Sequence, residues 1–425
     1  MTQRMWALIE RNRAGSAEAL PSVCSTQPEV LTAALLLARE QASLLLVEAT
    51  SNQVNQFGGY TGMRPVEFAQ RLTALAGRLG LDPAQLVLGG DHLGPQVWRG
   101  ETAAAAMESA GELVRAYVRA GFHKIHLDCS EPCADDPRPL PPALCAARAA
   151  ELAAECERVA PSPAALAYVI GTEVPRPGGA LAEEEALRPT RPEDAAEVIE
   201  LHRQAFARMA PAAWERVAAL VVQPGVEFSP AHVVHYDAAS AGGLAQGLRG
   251  QPRMCFEAHS TDYQRPQALA ALGAGHFAVL KVGPALTDAY RRALYALDAM
   301  SGALDGHGTR PALPDVMEHL MLGEPRHWRD HYHGTEAECR RLRHHSYADR
   351  VRYYWPQPAA REAVAALYEH VDALRPPLYV LRDYFDPELI ERADGLHTVA
   401  GGLACALVLA SIQSVLRPYF RSRTV

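Results

Sequence analysis

The sequence predicts a (β/α)8 barrel, or TIM barrel, followed by a helical C-terminal extension. In the first 300 residues, short apolar segments alternate with longer segments of helical spacing, and eight such pairs occur. Several short segments, LLLVEA and FAVLKV among them, are almost continuously apolar, which is typical of strands buried on both faces of a parallel sheet. The main alternative is an open doubly wound sheet, but VCSTQPE after the first strand lacks the GxGxxG loop of that fold.

The elements follow one another with short connections. The strands are predicted at Ala19–Ser25, Leu44–Ala49, Leu86–His92, Lys124–Ser130, Leu166–Val174, Ala219–Gly225, Arg253–Ser260 and His276–Gly283. The helices that follow them are predicted at Glu29–Gln41, Val66–Leu79, Glu101–Ala120, Pro142–Ala160, Pro192–Met209, Ala238–Leu248, Gln264–Leu272 and Leu286–Ala299. Prolines near helix starts (Pro28, Pro65, Pro192) and glycines after helix ends (Gly80, Gly121, Gly273) support these boundaries.

The alternation of apolar and helical segments ends near residue 300. Gly302–Pro314 is rich in glycine and proline, and five helical segments follow at Asp315–Leu322, Thr335–Arg343, Ala359–Leu374, Asp386–Arg392 and Gly401–Leu416. We therefore divide the chain into a barrel (1–300) that carries the site and a mainly helical extension (301–425). The extension either packs on the barrel or forms a contact between subunits, and we expect a homo-oligomer.

Composition limits the classes of function. The chain has 425 residues, is 48% hydrophobic and carries a net charge of −8, which excludes a disordered chain and argues against binding to nucleic acid or to anionic membranes. Its apolar runs are too short to span a membrane, and its start lacks the apolar core of a signal peptide. Eight scattered cysteines without a CxxC pair indicate reduced thiols, so we predict a cytoplasmic protein.

Polar side chains follow the predicted strands at the end where barrels carry their chemistry. A single residue of this kind often only caps the next helix. Here, however, histidines, carboxylates and a lysine follow neighbouring strands, and capping alone does not explain such a collection. The second strand is followed by Ser51 and Asn52, the fourth ends at Asp128, and Asp262 follows the seventh. We predict that these four side chains contact substrate.

Four residues at strand ends are predicted to hold a divalent metal ion. They are His92, Glu173, Gln223 and His259. Imidazole and carboxylate groups suit zinc best, with manganese, cobalt or nickel as alternatives, and an amide oxygen is an acceptable weak ligand. The competing interpretation of each histidine is a buried side chain with its hydrogen bonds satisfied. Asp91 and Glu48 are predicted to act as general acid and base, since a metal that polarises a carbonyl suits aldol cleavage or epimerisation of a ketose.

A phosphate group is predicted to bind near the last strands. Gly178 and Gly179 after the fifth strand, Ser260 after the seventh, and Lys281 on the eighth offer backbone N–H groups and a cation. The glycines serve equally well as loop residues that permit turns.

Four stretches resemble one family over essentially the whole chain. They are VEATSNQVNQFGGYTGMRP (Val47–Pro65), LGGDHLGP (Leu88–Pro95), KIHLD (Lys124–Asp128) and IGTEVPRPGG (Ile170–Gly179). The chain is identified by them as a member of the tagatose-bisphosphate aldolase Z-subunit family. Members have been described as the non-catalytic partner of a class II aldolase, and some as ketose 4-epimerases.

The resemblance implies a barrel similar to class II aldolases, with changes in the site. Asp91–His92 matches the Asp-His pair of those enzymes, Glu173 with Gly178–Gly179 matches their Glu and Gly-Gly, and His259 matches their last metal-binding histidine. Another expected histidine falls near Gln223, and the phosphate loop Lys-Val-Asn reads Lys281–Val282–Gly283. These differences argue against ordinary bisphosphate aldolase activity.

The sequence is compatible with three functions. The first is a metal-dependent 4-epimerase that interconverts D-tagatose 6-phosphate and D-fructose 6-phosphate, or the free ketoses. The second is a non-catalytic subunit that stabilises a class II aldolase through exposed aromatic residues of the extension, namely Trp328, Tyr332, Tyr353, Tyr354 and Trp355. The third is a metal-dependent isomerase of free sugars or sugar acids.

Overall fold

Eight parallel strands close into a barrel, which confirms the predicted TIM barrel. The structure is a computed structural model that describes residues 2–172, 187–306 and 310–420. The barrel strands of the described chain are β1 (Leu20–Cys24), β2 (Leu45–Thr50), β3 (Leu86–Leu93), β4 (Lys124–Leu127), β5 (Ala167–Ile170), β6 (Val217–Val221), β9 (Cys255–Ala258) and β10 (Phe277–Val282). They pair in that order, and β10 pairs with β1. A two-stranded hairpin, β7 (Glu227–Phe228) with β8 (Val233–Val234), lies outside the barrel.

Helices surround the barrel and continue into the extension. The helices of the barrel region are α1 (Thr2–Arg11), α2 (Pro28–Glu40), α3 (Pro65–Arg78), α4 (Ala103–Arg119), α5 (Pro142–Val159), α6 (Pro192–Met209), α7 (Pro211–Trp214), α8 (Pro266–Ala274) and α9 (Pro284–Asp305). The extension holds α10 (Leu313–Gly323), α11 (Glu336–His345), α12 (Pro358–Leu374), α13 (Leu378–Tyr384), α14 (Pro387–Ala400) and α15 (Leu403–Phe420). Pro28, Pro65 and Pro192 each occupy the first position of a helix, as predicted.

Two local predictions are wrong. The helix predicted at Ala238–Leu248 is replaced by turns and a short 3-10 helix (Leu244–Leu248), because Gly243 adopts a positive φ of 92° that interrupts an α-helix. Gly273 does not follow a helix end but lies inside α8. A Cβ at Gly273 would come within 2.3 Å of the backbone oxygen of Ala17, so the glycine permits close packing of the chain before β1.

The barrel interior is apolar at one end and charged at the other. Helix α1, which was not predicted, contributes Met5, Leu8 and Ile9 to an apolar cluster with inward-facing residues of the strands. The cluster also includes Leu46 of β2 and Ala167 of β5, which lie toward the strands' amino ends. Beyond this cluster, toward the end that opens to the extension, the barrel interior carries buried charged side chains.

The extension packs on the barrel as part of one continuous core. Helix α9 runs through the predicted boundary at residue 300 to Asp305, and buried residues of α10, α12 and α15 share one cluster with barrel helices. In the described chain, α15 is the one helix long and apolar enough to cross a membrane by length and composition, but 67% of it is buried inside the protein. It packs against α2, α9 and α14, as a core helix does.

Glycine at position 89 makes room for a charged side chain inside the barrel. A Cβ at Gly89 of β3 would lie 2.8 Å from Cγ of Glu48 on β2, well inside van der Waals contact. We expect Gly89→Ala to lower the stability by about 1–3 kcal/mol through overpacking. The midpoint of urea unfolding measures this.

The matched control is Gly77→Ala in α3, where a Cβ meets nothing within 4 Å. We expect it to stabilise the protein by about 0.5–1 kcal/mol, since alanine is the better helix former. Equal midpoints for the two variants would contradict the close approach of Gly89 to Glu48.

Candidate functional site

A layer of charged side chains fills the barrel just below its open end. Lys124 of β4 bridges two carboxylates, with its Nζ 2.6 Å from Oε1 of Glu48 and 2.7 Å from Oε2 of Glu257 on β9. Lys281 of β10 forms a second bridge, pairing with Glu48 and lying 2.6 Å from Oδ1 of Asp91 on β3. None of these five residues is more than 5% exposed. The layer thus joins five strands through ion pairs.

Mutual pairing keeps the groups of this layer charged. Burial alone would raise the pKa of Asp91, but neighbouring His92 and Lys281 hold it well below its usual value. Burial opposes ionisation of Glu257 as well, and Lys124 and Lys281 outweigh it, so that this pKa is also well below usual. The carboxylates in turn raise the pKa of Lys281 well above that of a free lysine, against the effect of burial. Asp91, Glu257 and Lys281 are therefore ionised at neutral pH.

Three histidines from three strands meet above the charged layer. The ring centroids of His92, His126 and His259 lie 5.1–5.2 Å apart in each pair. His126 comes two residues after Lys124 on β4, and His259 two residues after Glu257 on β9, so strand alternation places each histidine on the inner face. We refer to these three residues as the histidine cluster.

His92 reaches the cluster through an irregularity in β3. Its φ is +48°, and the register between β3 and β4 shifts between Gly90 and Leu93. A positive φ is uncommon for a residue with a Cβ, and bulges of this kind re-aim side chains. Here the irregularity lets Asp91 and His92, which are consecutive in the chain, both line the same cavity.

Two carboxylates orient rings of the histidine cluster. Oδ2 of Asp128 lies 2.7 Å from Nδ1 of His92, and Oδ1 of Asp91 lies 2.7 Å from Nδ1 of His126. A carboxylate on one ring nitrogen fixes the ring and leaves the other nitrogen for a ligand, which is typical of metal-binding histidines. Asp128 was predicted to contact substrate, and the structure instead places it behind His92 as an orienting group.

The residues present fit a divalent metal ion. Nε2 of His126 is buried and has no hydrogen-bond partner among the described residues, and such an atom costs about 1–3 kcal/mol unless something binds it. Asp91, His126, Glu257 and His259 offer ligand atoms that all lie within 4.8 Å of one another. Imidazole nitrogens with carboxylate oxygens form a donor set suited to zinc and related ions.

The pKa of His259 suits a bound cation, whereas that of His92 opposes one. Burial lowers the pKa of His259 to about 3, and the charge of Lys281 adds to the effect, so this ring is neutral at pH 7. Burial also opposes protonation of His92, but Asp91 and Asp128 outweigh it and raise its pKa. Ligation needs the neutral ring, so an ion that binds here would displace the proton of His92.

Two cavities adjoin at the barrel mouth. The inner cavity has a volume of about 80 Å³ and is lined by Asp91, His92, His259, Ser260, Asp262, Lys281, Asn52, Cys24, Arg352 and Tyr353, among others. The outer cavity has a volume of about 770 Å³ and lies between α2, α3 and the extension. Both cavities share Arg352 and Tyr60 as lining residues. The extension therefore contributes to the site, which the sequence had assigned to the barrel alone.

The structure brings most of the predicted site residues together. Asp91, His92, His259, Asn52, Ser260, Asp262 and Lys281 line the inner cavity, and Glu48 lies in the charged layer. Glu173, Gly178 and Gly179 lie outside the described residues. Their predicted roles therefore remain predictions.

Two predicted residues have other roles in the structure. The side-chain oxygen of Gln223 accepts hydrogen bonds from the backbone N–H groups of Gly225 (2.8 Å) and Val226 (3.0 Å), so it shapes the loop after β6 instead of joining the histidine cluster. Ser51 is fully buried, and its hydroxyl accepts a hydrogen bond from Gln96. The structure gives no support to Gln223 as a metal ligand or to Ser51 as a substrate contact.

The predicted phosphate donors are already engaged. Lys281 is held by carboxylates of the charged layer, as described above. The backbone N–H groups of Gly283 (3.0 Å) and Ala285 (2.8 Å), at the start of α9, donate to Oδ1 of Asp262. Burial raises the pKa of Asp262 to about 6, although these two hydrogen bonds oppose the shift. An internal carboxylate thus occupies the N–H groups that a phosphate was expected to use.

The sequence contains two signals for the residues that were missed. Lys124 and His126 precede Asp128 at intervals of two, and Glu257 precedes His259 at the same interval, which places each set on one face of a strand. The second signal is composition, because the chain has 41 basic residues and only two of them, Lys124 and Lys281, are lysines. Both lie in the charged layer, where the compact ammonium group of each lysine bridges carboxylates from different strands.

Comparison with known proteins gives matches over nearly the full length of the chain. A family model described as D-tagatose-1,6-bisphosphate aldolase subunit GatZ/KbaZ-like matches residues 5–424. The chain is 46% identical to an Agrobacterium fabrum protein named D-tagatose 6-phosphate 4-epimerase, over 99% of this chain and 98% of that protein. It is 44% identical to a Klebsiella oxytoca protein named D-tagatose-1,6-bisphosphate aldolase subunit GatZ, over 98% of this chain and 99% of that protein.

A solved structure is similar to this chain over nearly its whole length. A crystal structure from Sinorhizobium meliloti 1021, described as that of a probable tagatose 6 phosphate kinase, is 42% identical to this chain and has a TM-score of 0.87. The match covers 95% of this chain and 100% of that one. The barrel and the extension therefore occur together in that protein as well.

Proposed function

This chain belongs to the D-tagatose-1,6-bisphosphate aldolase subunit GatZ/KbaZ-like family, and we propose that it is a metal-dependent 4-epimerase that interconverts D-tagatose 6-phosphate and D-fructose 6-phosphate. The proposal is carried by the histidine cluster beside a cavity, in which Nε2 of His126 has no hydrogen-bond partner in the described part of the chain. A subunit that acts only by contact has no use for such a cluster. The activity in the name of the Agrobacterium fabrum relative supports the same assignment.

The histidine cluster would hold the metal, and zinc is the ion that we propose. His92 and His259 line the inner cavity, and His126 lies in ring contact with both. When bound, such an ion polarises a substrate carbonyl and stabilises negative charge that develops on its oxygen. The protein's own groups supply the remaining functions, which are proton transfer and placement of the substrate.

The chemistry of the two sugars favours cleavage of one carbon–carbon bond. Tagatose and fructose differ at C4, whose hydrogen is β to the C2 carbonyl and is not made acidic by it. The C3–C4 bond is the one that a retro-aldol reaction breaks. O4 loses its proton and becomes the aldehyde oxygen of glyceraldehyde 3-phosphate, while the bonding electrons form an enediolate at C2–C3. The bond re-forms on the other face of the aldehyde, and O4 regains a proton.

Asp91 is the group that we assign to accept the proton of O4. It lines the inner cavity and is ionised at neutral pH, as a general base must be. Glu48 was predicted to share this role, but it is fully buried and pairs with Lys124 and Lys281. We assign to Glu48 the task of holding the two lysines.

An isotope experiment tests both the activity and its route. We expect the purified chain, loaded with Zn²⁺, to convert D-fructose 6-phosphate into D-tagatose 6-phosphate without a second protein. In D₂O the product should carry no deuterium at C4, because the C4–H bond is never broken in a retro-aldol route. Proton NMR of the product measures this.

The controls separate the activity from its route. Fully metal-loaded protein that gives no product would contradict the epimerase. Product with deuterium at C4 would support the epimerase activity but contradict the route through carbon–carbon cleavage. Protein from which the metal has been removed with a chelator is the matched negative control.

The aldolase-subunit alternative loses its predicted contact surface. Trp328, Tyr332, Tyr354 and Trp355 are each no more than 9% exposed and pack inside this chain. Tyr353 is half-buried and lines the inner cavity. Because relatives are named as GatZ aldolase subunits, the assay also tests the alternative. In that case the chain alone would be inactive and would raise the activity of a class II aldolase.

We also propose that the enzyme works in the cytoplasm. All eight cysteines are free thiols, which suits the reducing cytoplasm where sugar phosphates are metabolised. The homo-oligomer stays a prediction.

A further inference from the structure

The inner cavity is too small for a whole ketose phosphate. Its volume is about 80 Å³, whereas sites for small organic ligands typically measure about 300–1,000 Å³. The outer cavity, at about 770 Å³, lies in that range. A substrate whose reacting carbons lie beside the histidine cluster must therefore extend its far end toward the outer cavity.

Arg352 stands at the junction of the two cavities. It lines both of them, and with Lys281 it supplies the cationic side chains of the inner cavity. Lys281 is held by three carboxylates of the charged layer. The hydrogen bonds of Arg352 within the described chain go instead to uncharged oxygen atoms, and the neighbouring carboxylate of Asp349 pairs with Arg291. The guanidinium of Arg352 donates to backbone oxygens of Ala348 and Asp349 and to the hydroxyl of Tyr353.

A buried turn fixes the position of Arg352 relative to the barrel. Asp349 is 2% exposed and adopts a positive φ of 42°. Its carboxylate accepts a hydrogen bond from Oγ1 of Thr287 at 2.6 Å and pairs with Nε of Arg291 at 3.0 Å, both on α9. Since α9 follows directly after β10, the strand of Lys281, this network ties the arginine to the strand end that carries the charged layer.

Aromatic packing closes the same region. The ring of Tyr353 contacts the ring of Tyr60 from the loop after β2, with centroids 4.8 Å apart, and stacks on His327 at the same distance. The guanidinium carbon of Arg352 lies 4.5 Å from the centroid of the Tyr353 ring. The extension thus presents its cation from a rigid surface on the barrel mouth.

We propose that Arg352 binds the phosphate of the substrate at this junction, and that the extension thereby selects phosphorylated ketoses. The inference rests on the proposed function for the identity of the sugar. Arginine forms strong bidentate bonds with phosphate, and the N–H groups at the start of α9 are already taken by Asp262. In the retro-aldol route, the same contact would hold glyceraldehyde 3-phosphate by its phosphate while its aldehyde turns.

Binding and turnover of Arg352→Gln test the proposal. We expect kcat/KM for D-fructose 6-phosphate to fall about 10- to 100-fold, mainly through KM, because charge-assisted hydrogen bonds to phosphate are lost. We also expect inorganic phosphate, titrated calorimetrically into the zinc-loaded protein, to bind at least about tenfold more weakly. Arg352→Lys keeps the charge without the bidentate geometry, so its kcat/KM and its phosphate affinity should lie between those of the wild type and of Arg352→Gln. Arg341→Gln removes an exposed arginine of α11 and is the matched control.

The outcomes separate this inference from the proposed function. Wild-type protein that binds D-fructose 6-phosphate through Arg352 but does not convert it would contradict the epimerase and support the phosphate site. An active wild type whose Arg352→Gln variant binds and converts the phosphorylated sugar equally well would overturn the phosphate site. Should Arg352→Gln fold poorly, unchanged phosphate affinity and KM in Arg352→Lys would overturn it instead.

Discussion

His126→Asn should remove the metal and nearly all activity while the fold is kept. Asparagine retains a donor N–H close to the position of Nδ1, and so preserves the 2.7 Å contact with Asp91. It removes Nε2, the buried nitrogen that has no partner in the described chain. We expect the affinity for zinc to fall by at least about 100-fold, since changes to groups that only support ligands already cost about 10–100-fold.

Activity should fall with the metal. Stabilisation of charge by a bound ion contributes several kcal/mol, so kcat should drop at least about 1,000-fold. Metal content per chain, measured on protein dialysed against zinc, and turnover of D-fructose 6-phosphate are the two readouts. His397→Asn changes an exposed histidine of α14 and should alter neither.

The design separates two roles of the same side chain. If His126 served only to hold Asp91, the asparagine variant would keep its metal and most of its activity. A variant with full zinc content and normal turnover would therefore contradict the metal centre proposed here. Normal zinc content with lost turnover would place the metal elsewhere and leave His126 a role in proton transfer.

The barrel could be predicted from the sequence because its pattern is local and repeated. Each strand is a short apolar run, and prolines such as Pro28 and Pro192 mark helix starts at the positions where they are found. The helix expected at Ala238–Leu248 failed because helical spacing there competes with Gly242–Gly243, and the turn prevails. Helix α1 was missed because its apolar face is recognisable only once the barrel end that it covers is known.

The site could be predicted only in part, because its geometry depends on contacts between strands. Asp91, His92 and His259 were found from their position at strand ends. Gln223 also stands at a strand end and was therefore predicted as a ligand, whereas His126 lies within β4. The role of Arg352 depends on how the extension folds back over the mouth, and no local pattern reports that.

Lys281→Met should be the most destabilising single change in the charged layer. It leaves Glu48 and Asp91 buried without their shared cation, and breaking a buried ion pair in this way costs about 3–5 kcal/mol. We expect a clear fall in the midpoint of urea unfolding. Lys281→Arg should not restore it, because the planar guanidinium is too large for a site enclosed by three carboxylates.

A second substitution tests whether the loss is electrostatic. Glu48→Gln combined with Lys281→Met removes one negative charge along with the positive one, so part of the stability should return. Residues that share an ion-pair network typically couple by about 0.5–3 kcal/mol. Losses that simply add would contradict an electrostatic coupling between Glu48 and Lys281. Recovery in the double variant would instead show that Lys281 stabilises the barrel by balancing the charge of the carboxylates around it.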